Sequence, residues 1–127
     1  MLVILGIGTD LIEHVRLQRE LALSPWSDAD GIYTAQEIAS CRSSPIPIAQ
    51  YAACFAAKEA TLKALDLEVR DLATFREVEL TVASEGAPML LLHGRVRTKS
   101  EQLGVRRINM SIAAARKLTG ALVVLES

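Results

Sequence analysis

Aromatic residues, cysteine and histidine are all scarce in this 127-residue chain, and neither sign of charge is in excess. With aromatics at 4% and hydrophobic residues at 50%, the core has to be built from Leu, Val, Ile and Ala. Two cysteines, Cys41 and Cys54, without a CxxC pair exclude a disulfide framework and a cysteine zinc site. They read as reduced thiols of a cytoplasmic protein. Against 15 Asp and Glu, 14 Lys and Arg leave a formal net charge of −1, which lacks the basic excess of a general nucleic-acid binder. No apolar run reaches bilayer length. The opening stretch Met1–Gly8 is too short and no basic segment precedes it, so no membrane association is expected. With no repeat, low-complexity tract or linker, residues 1–127 are expected to form one domain.

What is present alternates between two periods. Leu2–Gly8 reads as a buried strand closed by glycines, followed by a helix over Leu11–Leu23 that Pro25 ends. Ser24–Gly31 reads as a loop. Thr34-Ala35-Gln36-Glu37 has capping-box spacing and predicts a helix over Ala35–Cys41. Ile48–Leu67, rich in Ala, Leu, Lys and Glu, is the strongest helix. Val78, Leu80 and Val82 then alternate with polar residues, Gly86-Ala87-Pro88 turns, and Met89–Leu92 returns as the second arm of a hairpin. A helix over Arg95–Leu103 with Gly104 as its cap precedes strands at Arg106–Ile112 and Ala121–Glu126. The order of one strand, then helices, then antiparallel strands predicts an α+β fold.

Two carboxylates stand out. Asp10 reads either as the N-cap of a helix starting at Leu11 or as a metal ligand. Glu59 lies in the alanine-rich helix, where burial demands a cation or hydrogen bonds. Lys63, four residues on, reads as a helix salt-bridge partner or as part of the same site. His14 is expected on a helix surface and His93 at a hairpin end. Trp26 and Met89 are expected to pack. Arg95, Arg97, Lys99, Arg106 and Arg107 form a basic stretch interrupted by Glu101.

The strings GIGTDLIEHVR (Gly6–Arg16) and FAAKEATLKAL (Phe55–Leu65) resemble those of the holo-acyl-carrier-protein synthase family, the small class of 4′-phosphopantetheinyl transferases. Tyr33–Glu37, the Gly86-Ala87-Pro88 turn and the closing Ala121–Val124 extend the resemblance along the chain. It implies the transferase fold of that family and a homotrimer with active sites between subunits. It also implies magnesium-dependent transfer of phosphopantetheine from coenzyme A to a serine of an acyl carrier protein in fatty-acid or polyketide biosynthesis. By position, Asp10 and Glu59 match the metal ligands, and Glu59 and Lys63 the catalytic pair. Lys63, Gly86 and Pro88 match coenzyme A contacts. Arg16, with Arg19 one turn on, matches the contact to the carrier.

Several positions depart from the family strings. Asn109 and Ala114 stand where histidines are expected, Cys54 where an arginine precedes Phe-Ala-Ala-Lys-Glu, and Ala87 where Gly-Lys-Pro has lysine. Leu65 runs into Asp66-Leu67-Glu68 in place of a glycine-rich segment. These losses predict weaker coenzyme A binding. They also leave open two other functions: a non-transferring module that binds a carrier protein, and another reaction on a carrier-bound intermediate.

Overall fold

Alanine makes one helix the centre of this fold. The computed structural model describes residues 2–23, 31–69, 71–82 and 86–127; the reading of 24–30 as loop, with Trp26, lies outside them. The chain runs β1 (Ile4–Glu13), α1 (His14–Leu23), α2 (Ala35–Ser43), α3 (Pro47–Ala64), α4 (Leu72–Arg76), β2 (Val78–Val82), β3 (Pro88–Leu92), α5 (Gly94–Leu103), β4 (Arg107–Ala114) and β5 (Leu118–Glu126). It is the expected α+β arrangement. β1, β5 and β4 form an antiparallel sheet in that order, and β2 pairs with β3 as a separate hairpin.

Small side chains at Ala52, Ala56, Ala57, Ala60 and Ala64 are buried along α3, so neighbours approach its backbone closely. β1 comes closest. A Cβ added at Gly6 would stand 2.0 Å from the Ala64 carbonyl oxygen, and one at Gly8 1.8 Å from that of Ala60. These glycines therefore do not close the strand, as the sequence suggested; they are its contact with the helix. β1 continues through Asp10 to Glu13, paired with β5 from Ile4↔Glu126 to Glu13↔Leu118. α1 starts at His14, not Leu11, and Asp10 caps no helix. His14 is correspondingly buried rather than on a helix surface, with its Nε2 2.7 Å from Thr119 Oγ1.

The inner face of the larger sheet contributes Ile12, Thr119, Ala121, Val123 and Leu125 to the core. Its outer face is apolar and open: Ile7 is 59%, Leu11 67% and Leu122 43% exposed. Met89, expected to pack, is also exposed on β3. The capping box forms as expected, with Thr34 Oγ1 accepting from Glu37 N at 3.1 Å and Glu37 Oε1 accepting from Thr34 N at 2.9 Å. α3 stops at Ala64, short of Leu67. Leu67 N donates to Leu62 O and Asp66 N to Lys63 O, a Schellman closure with Asp66 in the left-handed position at φ 54°. Gly104 takes the same role after α5, at φ 82°. The sequence reading missed α4, which Asp71 caps by accepting from Thr74 N at 3.0 Å.

One buried ion pair joins the helices. Lys58 Nζ, fully enclosed, donates to Glu37 Oε1 at 2.6 Å, Phe75 O at 3.0 Å and Val78 O at 2.5 Å. Burial draws the Lys58 pKa below the ordinary lysine value, and the Glu37 carboxylate opposes that. Cys41 and Cys54 are free and buried in the same layer, between α2 and α3.

Candidate active site

Alternation along β1 puts Gly8, Asp10 and Ile12 on the face turned to α3. Since Gly8 lies against the Ala60 carbonyl, Asp10, two residues on, reaches the stretch of α3 that carries Glu59 and Lys63. Lys63 Nζ donates to Asp10 Oδ1 and to Thr9 O, each at 3.1 Å. The lysine thus turns to β1, so of its two readings the structure favours membership of the site over a helix salt bridge to Glu59. At 53% side-chain exposure it remains free to swing, and in water this pair contributes little stability. Asp10 Oδ2 is buried and has no hydrogen-bond partner among the described residues. Burial pushes the Glu59 pKa up, the Asp10 carboxylate adds to that, and Lys63 opposes it.

Asp10 and Glu59 open on a cavity of about 230 Å³ whose wall includes Arg16 and Glu20 of α1 and the Phe55 ring. The structure brings Asp10, Glu59, Lys63 and Arg16 together. Arg19, exposed one turn on, does not line this cavity. Gly86 turns the hairpin at φ 87°, and Pro88 opens β3 beside a different, apolar cavity of about 420 Å³. Glu20 follows Arg16 by four residues and so shares its helix face.

The donor set suits a hard cation. Two carboxylates converge, one with an orphaned buried oxygen, and a positive charge there would satisfy that oxygen and relieve the repulsion that raises Glu59. Among the described residues no cluster of three or more His, Cys, Asp or Glu is placed to hold a metal. Two carboxylates with the remaining positions left to water and phosphate match magnesium better than zinc.

The sequence model of the 4′-phosphopantetheinyl transferase superfamily matches residues 6–116. Curated relatives over nearly the full chain are holo-acyl-carrier-protein synthases. That of Solibacter usitatus is 38% identical over 98% of this chain and 99% of its own. That of Maridesulfovibrio salexigens is 37% identical over 97% and 98%. The chain belongs to the holo-acyl-carrier-protein synthase family. The fold agrees: the Neisseria meningitidis holo-acyl-carrier-protein synthase superposes with a TM-score of 0.87 at 28% identity, over 98% of this chain and 100% of that one. The Bacillus anthracis enzyme, solved with coenzyme A (3′,5′-ADP), gives 0.76 at 27% identity over 98% and 97%.

The positions that depart from the family strings can now be placed. Cys54 is buried on α3, its thiol pushed well above the ordinary range by a hydrogen bond with Cys41 and by burial. Asn109 donates to Glu126 Oε1 on the outer sheet face. Ala114 ends β4 beside Pro88. Asp66 and Glu68 share a cavity of about 370 Å³ with Glu77 and Arg95. The basic stretch divides. Arg95 faces Asp71 at 3.8 Å and Arg97 pairs with Glu101 at 3.0 Å, whereas Arg106 and Arg107 line a separate cavity near the chain ends. Among the described residues no helix is long and apolar enough to cross a membrane.

Proposed function

We propose that this chain transfers 4′-phosphopantetheine from coenzyme A to a serine of an apo-acyl carrier protein with magnesium as cofactor. The observation that carries the reading is the convergence of Asp10, Glu59 and Lys63, with one buried carboxylate oxygen unpaired. Asp10 and Glu59 would hold the ion, which supplies positive charge to the pyrophosphate oxygens. Glu59, its proton affinity raised by its surroundings, takes up the serine proton directly or through a water. The serine oxygen forms a bond to the β-phosphorus, and the bond to the bridging oxygen breaks with its electron pair. Lys63 leaves Asp10 for the phosphates, steadies that charge and protonates the leaving adenosine 3′,5′-bisphosphate. Arg16 borders the cavity and Arg19 extends the same helix, so both meet an acidic carrier surface.

Gly86 and Pro88 do not reach this cavity within one chain, so their donor contacts come from a neighbouring copy in a homotrimer. The open apolar face of β1 and β5 supports that assembly. It supplies Ile7, Leu11 and Leu122. One observation favours a second reading, a carrier-binding homologue that does not transfer. The cavity beside Pro88 is lined by Ile46, Ala53, Leu80, Val82 and Ala114, with no charged side chain among the described residues. Incubating the purified chain with apo-carrier, coenzyme A and magnesium, then weighing the carrier by mass spectrometry, decides between them. Gain of one phosphopantetheinyl group, lost in Asp10→Asn and Glu59→Gln, supports transfer. Carrier binding without gain supports the module.

A further inference from the structure

Lys58 precedes Glu59 on α3, yet it lines no part of the Asp10–Glu59 cavity. Its ammonium is enclosed and makes three bonds to three elements: Glu37 of α2, the Phe75 carbonyl of α4 and the Val78 carbonyl of β2. Glu37 is itself fully used. Its Oε1 also accepts from Thr34 N, and its Oε2 accepts from Leu80 N at 2.9 Å. On another side, α3 is held by the glycines of β1, whose contacts are to backbone and allow no slack. The helix is therefore clamped about its axis between β1 and one lysine. Between those clamps lie the two carboxylates of the site, Asp10 on β1 and Glu59 on α3.

Resting on the site reading above, we infer that Lys58 is a positioning residue: it fixes the rotation of α3 that keeps Glu59 facing Asp10. The lever is short. A carboxylate sits about 5–6 Å from a helix axis, so a roll of about 20° displaces it by about 2 Å. A metal site tolerates about 0.5 Å. Burying this ammonium gives no other evident advantage, since well-packed apolar residues often replace a buried ion pair at no loss of stability.

The test uses Mn²⁺ as the probe, its binding followed by electron paramagnetic resonance alongside transfer kinetics and thermal melting. Lys58→Met/Glu37→Gln removes the ammonium without leaving a bare buried carboxylate. It is expected to fold, to weaken Mn²⁺ binding at least tenfold and to lower kcat by a similar factor, with KM for the carrier little changed. Val96→Ala, a core truncation in α5, lowers the melting temperature without moving Mn²⁺ affinity. If the double variant does not fold, Glu37→Gln alone is read, with an expected weakening of threefold or more. Wild-type Mn²⁺ affinity in the folded double variant, or in Glu37→Gln where that is the variant read, overturns the inference alone. An unaltered chain that binds no Mn²⁺ overturns the site reading and the inference with it.

Discussion

Gly8→Ala tests how the close approach of β1 to α3 builds the site. The new Cβ would lie 1.8 Å from Ala60 O and 2.7 Å from Ala64 N, both backbone atoms of a helix that cannot rotate aside. Reaching even 3.0 Å requires the strand to withdraw by about 1.2 Å. Overpacking of this kind costs about 1–3 kcal/mol, and the rigid partners put this case near about 3. A domain stable by about 5–15 kcal/mol survives that loss. The site does not, because Asp10 lies two residues along on the same face, and a misplacement of about 1 Å costs about 10²-fold in rate. Thermal melting and the initial rate of carrier modification measure the two effects. Gly120→Ala is the stability control, since its Cβ would meet Leu11 Cδ1 at an ordinary 3.4 Å. A Gly8→Ala protein with an unchanged melting temperature and a rate within threefold of the unaltered chain would refute the reasoning.

Asp66→Gly should raise stability by about 1 kcal/mol, read as a melting shift of about 4 °C, because it removes the left-handed strain at the end of α3. Removing that negative charge should also tighten coenzyme A binding by calorimetry. Glu59 holds its proton above the ordinary glutamate value near 4.5, so the folded chain binds more protons than the unfolded one in that window. Metal-free stability should therefore fall as pH rises through it, while Mg²⁺ affinity climbs over the same range; titration calorimetry at stepped pH checks both. Leu122→Asp, on the outer face of β5, should convert a trimer to monomers by analytical ultracentrifugation. A monomer already in the unaltered chain would remove the shared-site reading.

Local signals survived translation into structure best. The capping box at Thr34–Glu37 and the glycine after α5 each depend on residues within a few positions of one another. The alternation over Val78–Val82 placed a strand correctly but not its burial, since Glu79 is buried and Val82 exposed. Leu11, Ile12 and Val15 fit a helical face and a strand about equally well. The choice is made by pairing with β5, more than a hundred residues away, and the same pairing buries His14 against Thr119. The burial of Lys58 has no local signal in the sequence, because its acceptors lie 17–21 residues off. Asp10, Glu59 and Lys63 were legible as members of matching strings. Their convergence was not, because it depends on two glycines read as a strand end.

The two thiols give the protein a built-in clock. Cys41 and Cys54 are 0% and 1% exposed, on helices that meet in the interior. An alkylating reagent can reach either only after α2 lifts from α3. The rate of mass increase in iodoacetamide therefore reports how often that layer opens, with no label engineered into the chain. A ligand that clamps α3 should slow the reaction at both residues in step, whereas one that touches only the outer sheet should leave it unchanged.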